Sequence, residues 1–171
     1  MRLKFAIVSL FPIMAEDLNI VIGTKKEQYE SIISQIKGLL QGETDFIANL
    51  ANITAALKEQ FHWLWIGFYL VKNEELVLAP FQGPVACTRI KKGRGVCGTA
   101  WAQAKTLIVS DVEKFPGHIA CSSLSKSEIV IPVIRNEEVI AVLDVDSESL
   151  NSFDKDDKYY LEQIVELIPI S

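Results

Sequence analysis

A chain of 171 residues, 49% apolar and 23% charged with a net charge of −5, has the make-up of one globular domain with a full core. Its 17 basic residues against 22 acidic ones leave no cationic footprint for nucleic acid. That charge leaves small, polar or cationic ligands open, and no apolar run reaches the roughly 20 residues of a membrane span.

Residues 1–10 join a basic head to an apolar stretch, as a signal peptide does. Pro12 interrupts that stretch and no small-x-small cleavage site precedes Glu16. Residues 1–22 therefore read as a poorly ordered extension, and residues 23–171 as a single domain. The odd number of cysteines, without regular disulfide spacing, points to a reducing, cytoplasmic compartment.

Thr24-Lys25-Lys26-Glu27 is a capping box. Behind it Ile32, Ile33, Ile36, Leu39 and Leu40 recur at helical spacing as far as Gly42. Phe46, Ile47, Leu50, Ile53 and Leu57 mark a second helix. From residue 63 to 71 the chain turns aromatic and β-branched and predicts a strand, with Trp63, Trp65 and Gly67 on one face and Leu64, Ile66 and Phe68 on the other. A turn at 72–75 leads to a second strand over 76–81, and a break at Gln82-Gly83-Pro84 to a third over 85–90. Gly93, Gly95 and Gly98 surround a turn before a short helix over 99–104, and 106–110 is a further short strand. Residues 111–127 form a long irregular loop, of the kind that is functional in compact domains. Strands over 128–134 and 139–146 make a hairpin across Asn136-Glu137-Glu138. A last helix starts near Asp154, with Tyr160, Ile164, Leu167 and Ile168 on its apolar face. The order describes an α+β domain, its helices layered on a mostly antiparallel sheet.

All three cysteines, Cys87, Cys97 and Cys121, fall within one 35-residue stretch. Cys97 stands where a glycine turn becomes a helix, so unpaired N–H groups and nearby Arg94 favour a thiolate there. Cys121 lies late in the long loop, where a nucleophile can move. Cys87 lies inside a predicted strand. Cys87, Cys97, His118 and Cys121 are also a possible zinc set. Structural zinc sites pair ligands two to four residues apart, however, and only His118 and Cys121 are so spaced. The expectation is thiol redox chemistry with no metal and no cofactor.

In Val142-Leu143-Asp144-Val145-Asp146 the two-residue period puts Asp144 and Asp146 on one face, and Glu128 opens the neighbouring strand. Three carboxyls this close repel, which raises at least one pKa. Such an acid can protonate an oxyanion, while an ionised neighbour holds an ammonium. An aromatic beside them, from the Trp65–Tyr69 segment, can wall a thioether or methyl group.

These motifs together resemble the free methionine-(R)-sulfoxide reductase family, which is built on a GAF domain. The matching segments are Trp65-Ile66-Gly67-Phe68-Tyr69, the 80–87 run ending at Cys87, Gly93-Arg94-Gly95-Val96-Cys97-Gly98, Pro116-Gly117-His118-Ile119-Ala120-Cys121, Ser127-Glu128, and the Asp144/Asp146 strand. The likeness runs from about residue 24 to the end. It departs at Ala79, at Trp101, and in the Ser122–Lys126 loop, which has no acidic residue after the cysteine. The resemblance implies a GAF-like sheet with terminal helices on one face and a ligand pocket on the other. It implies Cys121 as the attacking cysteine, with Cys97 or Cys87 forming a disulfide with it. It further implies Glu128, Asp144 and Asp146 as substrate-binding acids, Trp65 and Tyr69 as pocket lining, thioredoxin as reductant, and a homodimer. The reaction so implied is reduction of free methionine (R)-S-oxide. The rival reading is a non-catalytic GAF sensor of small molecules.

Overall fold

The computed structural model describes residues 17–119 and 122–169. Along these run α1 (Lys25–Leu39), α2 (Phe46–Phe61), β1 (Trp65–Lys72), β2 (Glu75–Gln82), β3 (Arg89–Lys91), α3 (Gly95–Gln103), β4 (Leu107–Val109), a 3-10 turn (Val112–Lys114), β5 (Ser127–Arg135), β6 (Glu138–Ser147) and α4 (Lys155–Glu166). The strands form one antiparallel sheet in the order β3-β2-β1-β6-β5-β4. Both long hairpins close through two-residue left-handed turns: Asn73 and Glu74 (φ 50° and 61°), and Asn136 and Glu137 (φ 49° and 66°). Such turns carry the twist that antiparallel strands need.

Each central strand buries both faces, and the two faces serve different ends. Ile66, Phe68 and Leu70 of β1, Ile129, Ile131 and Val133 of β5, and Leu143 and Val145 of β6 pack against α1, α2 and α4. Their odd–even partners Trp65, Tyr69, Val130 and Val142 look the other way, toward Val96, Ala100 and Trp101 of α3. The three long helices thus cover one face and leave the other to a short helix and loops, where a cavity can form. The predicted α+β layering, terminal helices on one face of a mostly antiparallel sheet, is the observed one.

Helix ends follow the sequence closely. Thr24 caps α1 in a full capping box with Glu27, and Asp154 caps α4 in another with Asp157. Lys25 joins the two ends through Asp154 (2.8 Å) and buried Asp157 (2.6 Å). Of the 1–22 extension, 1–16 lie outside the described residues. Residues 17–22 are tethered rather than loose: Gln60 exchanges two hydrogen bonds with the Val21 backbone (2.9 and 3.1 Å), and the Gln35 side chain bonds the Asn19 backbone.

Three predicted boundaries move. The strand begins at Trp65, because left-handed His62 (φ 55°) ends α2 and Lys58 Nζ binds the Trp63 and Leu64 carbonyls. Trp63 therefore packs on the helix side, stacked on Phe61 at 4.4 Å, and does not share the face of Trp65. The third strand shrinks to Arg89–Lys91, so Cys87 sits in a loop and not in a strand. Helix α3 starts at Gly95, four residues early, which puts Cys97 inside its first turn.

Candidate active site

On the sheet face opposite the long helices, Glu128 of β5 lies directly across from Asp146 of β6, and Val130 across from Asp144. The register places all three carboxyls on one surface. Glu128 and Asp144 are each only 6% exposed, and Asp144 Oδ1 has no hydrogen-bond partner. Burial, reinforced by the charges of Asp144 and Asp146, pushes the Glu128 carboxyl well above the usual range. Burial and the Asp146 charge do the same to Asp144. Asp146 is raised less, to about 6, by burial opposed by the Ser125 hydroxyl that donates to it. The face thus sets two acids held toward their protonated forms beside Asp146, the most readily ionised of the three.

Cys97 projects from α3 onto this surface, its thiol donating to Glu128 Oε1 at 3.8 Å. It is a free, buried thiol. Burial, and then the charges of Asp144 and Glu128, raise its pKa well above normal. The helix-end argument for a Cys97 thiolate is therefore overturned. Burial, together with the acids brought in by β5 and β6, outweighs the partial charge of the first turn.

Aromatic side chains build the wall. Trp65 stacks between Phe81 (5.4 Å) and Tyr69 (5.9 Å). The close stack requires Gly67, where a Cβ would lie 2.4 Å from Phe81 Cβ and 2.6 Å from the Trp65 ring. The Trp65 indole N–H donates to the Pro84 carbonyl and the Tyr69 hydroxyl to the Cys87 carbonyl, each at 3.0 Å. These two bonds hold the 83–87 loop over the site where strand pairing stops. Cys87 in that loop is disulfide-bonded. Opposite, the turn into α3 packs backbone on backbone: a Cβ at Gly98 would lie 2.4 Å from the Lys91 carbonyl.

Between floor and wall lies a cavity of about 610 Å³ including its mouth, lined among others by Trp65, Tyr69, Cys97, Glu128, Asp144 and Asp146. Arg94, His118, Ile119 and Ser122 also face it. Six of the eight residues singled out in the sequence thus meet at one cavity; Cys87 lies beside it, tied to Tyr69. Cys121 lies outside the described residues. Ser125, which sets the charge of Asp146, was not anticipated; a loop serine carries no local signal of a partner 21 residues away.

A GAF domain model matches residues 43–170. GAF domain-containing protein A of Dictyostelium discoideum is 70% identical over 91% of this chain and 99% of its own length. The free methionine-R-sulfoxide reductase of Escherichia coli is 46% identical over 82% of this chain and 86% of its own. Among solved structures, the free methionine-R-sulfoxide reductase of Neisseria meningitidis in complex with its substrate superposes with a TM-score of 0.88 at 52% identity, covering 90% of this chain and 93% of that one.

Proposed function

We infer the reaction from one premise: the chain belongs to the free methionine-R-sulfoxide reductase family of GAF-domain proteins. It is an oxidoreductase that reduces free methionine sulfoxide to methionine. The observation that carries this reading is the acidic floor under an aromatic wall. The ionised Asp146 offers a counter-charge to an amino acid's ammonium group, which a residue inside a peptide lacks. Trp65 and Tyr69 take the apolar thioether end.

The finer mechanism is as follows. The Cys121 thiolate attacks the sulfoxide sulfur while its oxygen takes a proton from the Glu128/Asp144 pair. The hydroxyl then moves to the cysteine sulfur as the Met S–O bond and the new S–S bond break, so methionine leaves and Cys121 carries the oxygen as a sulfenic acid. The Cys87 thiol then displaces water to give a disulfide. The disulfide-bonded state of Cys87 supports it as the resolving thiol, and the buried, protonated state of Cys97 argues against that residue. A dithiol of the thioredoxin class restores both thiols. The working form is a cytoplasmic homodimer of a single GAF-like domain, residues 23–171, with (R)-sulfoxide as substrate.

The test is a coupled assay on the two separated sulfoxide diastereomers, free and peptide-embedded, with wild type and Cys121→Ser. Reduction of the free (R) form alone, lost in Cys121→Ser with folding intact, is the expected result. Unchanged turnover in the variant would refute the assigned nucleophile, and a folded protein inert to both diastereomers would favour the sensor reading.

A further inference from the structure

We propose that Cys97, Glu128 and Asp144 form a binding site for a borderline-soft divalent cation of the Zn²⁺ class, one that blocks the acidic end of the cavity when filled. The site differs from any zinc knuckle suggested by cysteine and histidine spacing. It is assembled by three elements, α3, β5 and β6, and uses one sulfur and two carboxylates.

The geometry is that of a three-ligand pocket. One ligand atom from each residue lies within 4.8 Å of the other two, and all three side chains are buried. The one direct separation, Cys97 Sγ to Glu128 Oε1 at 3.8 Å, compares with roughly 3.5 Å across a tetrahedral zinc with ordinary Zn–S and Zn–O bonds. A shift of a few tenths of an ångström brings the Cys97–Glu128 pair to bonding distance. Asp144 is the second, independent sign. Its Oδ1 is buried without a partner, though buried polar atoms are normally satisfied. Asp146, across from Glu128, adds negative charge nearby. The cavity mouth gives an entry path and leaves room for water as the fourth ligand.

Ligand chemistry selects the ion. Mg²⁺ and Ca²⁺ take all-oxygen shells, whereas a thiolate with two carboxylates suits Zn²⁺, Cd²⁺ or Co²⁺. Entry of the ion displaces the protons of the Cys97 thiol and of the Glu128 and Asp144 carboxyls to solvent and forms one S–metal and two O–metal bonds; no redox change occurs. The ion then neutralises the acidic floor and occupies the end where the substrate's polar groups would sit.

Co²⁺ is the probe, because it reports its own ligands. Chelator-treated full-length protein titrated with Co²⁺ should develop a near-ultraviolet sulfur-to-cobalt charge-transfer band at one equivalent, displaced by Zn²⁺. Cys97→Ser should lose the band. Asp144→Asn should keep it but weaken Co²⁺ affinity by at least about tenfold, since even outer partners of a metal ligand are worth that much. Circular dichroism confirms that each variant is folded, and Cys97→Ala replaces the serine variant if needed. Absence of the band in wild type, or its persistence in folded Cys97→Ser, overturns the proposal. Free methionine sulfoxide should bleach the band in competition; no effect at saturating sulfoxide would overturn the shared position. The Co²⁺ readout does not depend on turnover, so failure of the reductase reading and failure of this one are distinguishable.

Discussion

Asp146 is the residue on which charge and function meet. Its carboxyl titrates near 6, so between about pH 4 and 6 it is neutral in the folded protein while an unfolded chain would ionise it. A pKa raised on folding means stability that is complete below the unfolded value and lost as pH rises through the folded one. The free protein should therefore melt higher at about pH 5 than above neutral, to which Glu128 and Asp144 contribute in the same direction. Ammonium binding needs the opposite state. KM for free methionine sulfoxide should rise as pH falls through about 6, with kcat less affected. Asp146→Asn should remove the KM trend and weaken the stability trend: KM up by roughly tenfold at neutral pH, and stability up by on the order of 1 kcal/mol. Steady-state pH profiles and thermal melts of the two proteins check this. A variant that binds normally and melts lower would contradict it.

At the scale of elements, much was legible because local signals sufficed. The Thr24 and Asp154 caps, the apolar stripes of α1, α2 and α4, and the Asp144/Asp146 alternation need only near neighbours. What the sequence did not disclose depended on distant partners. Residues 85–88 are apolar enough for a strand, but pairing with β2 continues only from Arg89, opposite Val77. Trp65 and Tyr69, about 20 residues upstream, bind the carbonyls of the 84–87 segment instead. The Cys97 thiol differs from its local signal for the same reason, since both the burial that raises its pKa and its acidic neighbours Glu128 and Asp144 come from tertiary packing. Two substitutions probe this level. Gly67→Ala should destabilise by about 2–3 kcal/mol and loosen the Trp65 stack, because the added methyl meets Phe81 backbone and side chain with no room to relax. Glu74→Gly should stabilise by about 0.5–1 kcal/mol, since Glu74 holds a left-handed φ of 61° that glycine adopts without strain. Denaturant melts measure both, with the indole fluorescence of Trp65 reporting the first.

Over the whole molecule, the fold divides labour between two sheet faces. Helices α1, α2 and α4 seal one face with an apolar core, which lets the other tolerate two buried carboxyls, a third that is half-buried, a free thiol and an orphaned oxygen. Those features cost stability and are retained where chemistry would use them. The most direct measurement of the central claim is a single turnover. Fully reduced protein, mixed with free methionine (R)-S-oxide and no recycling reductant, is quenched by alkylation and mapped by mass spectrometry. The account predicts about one equivalent of methionine per chain, a new disulfide joining Cys87 and Cys121, and an alkylatable Cys97 after denaturation. Methionine formed with both Cys87 and Cys121 still reduced, or no methionine at all, would contradict it.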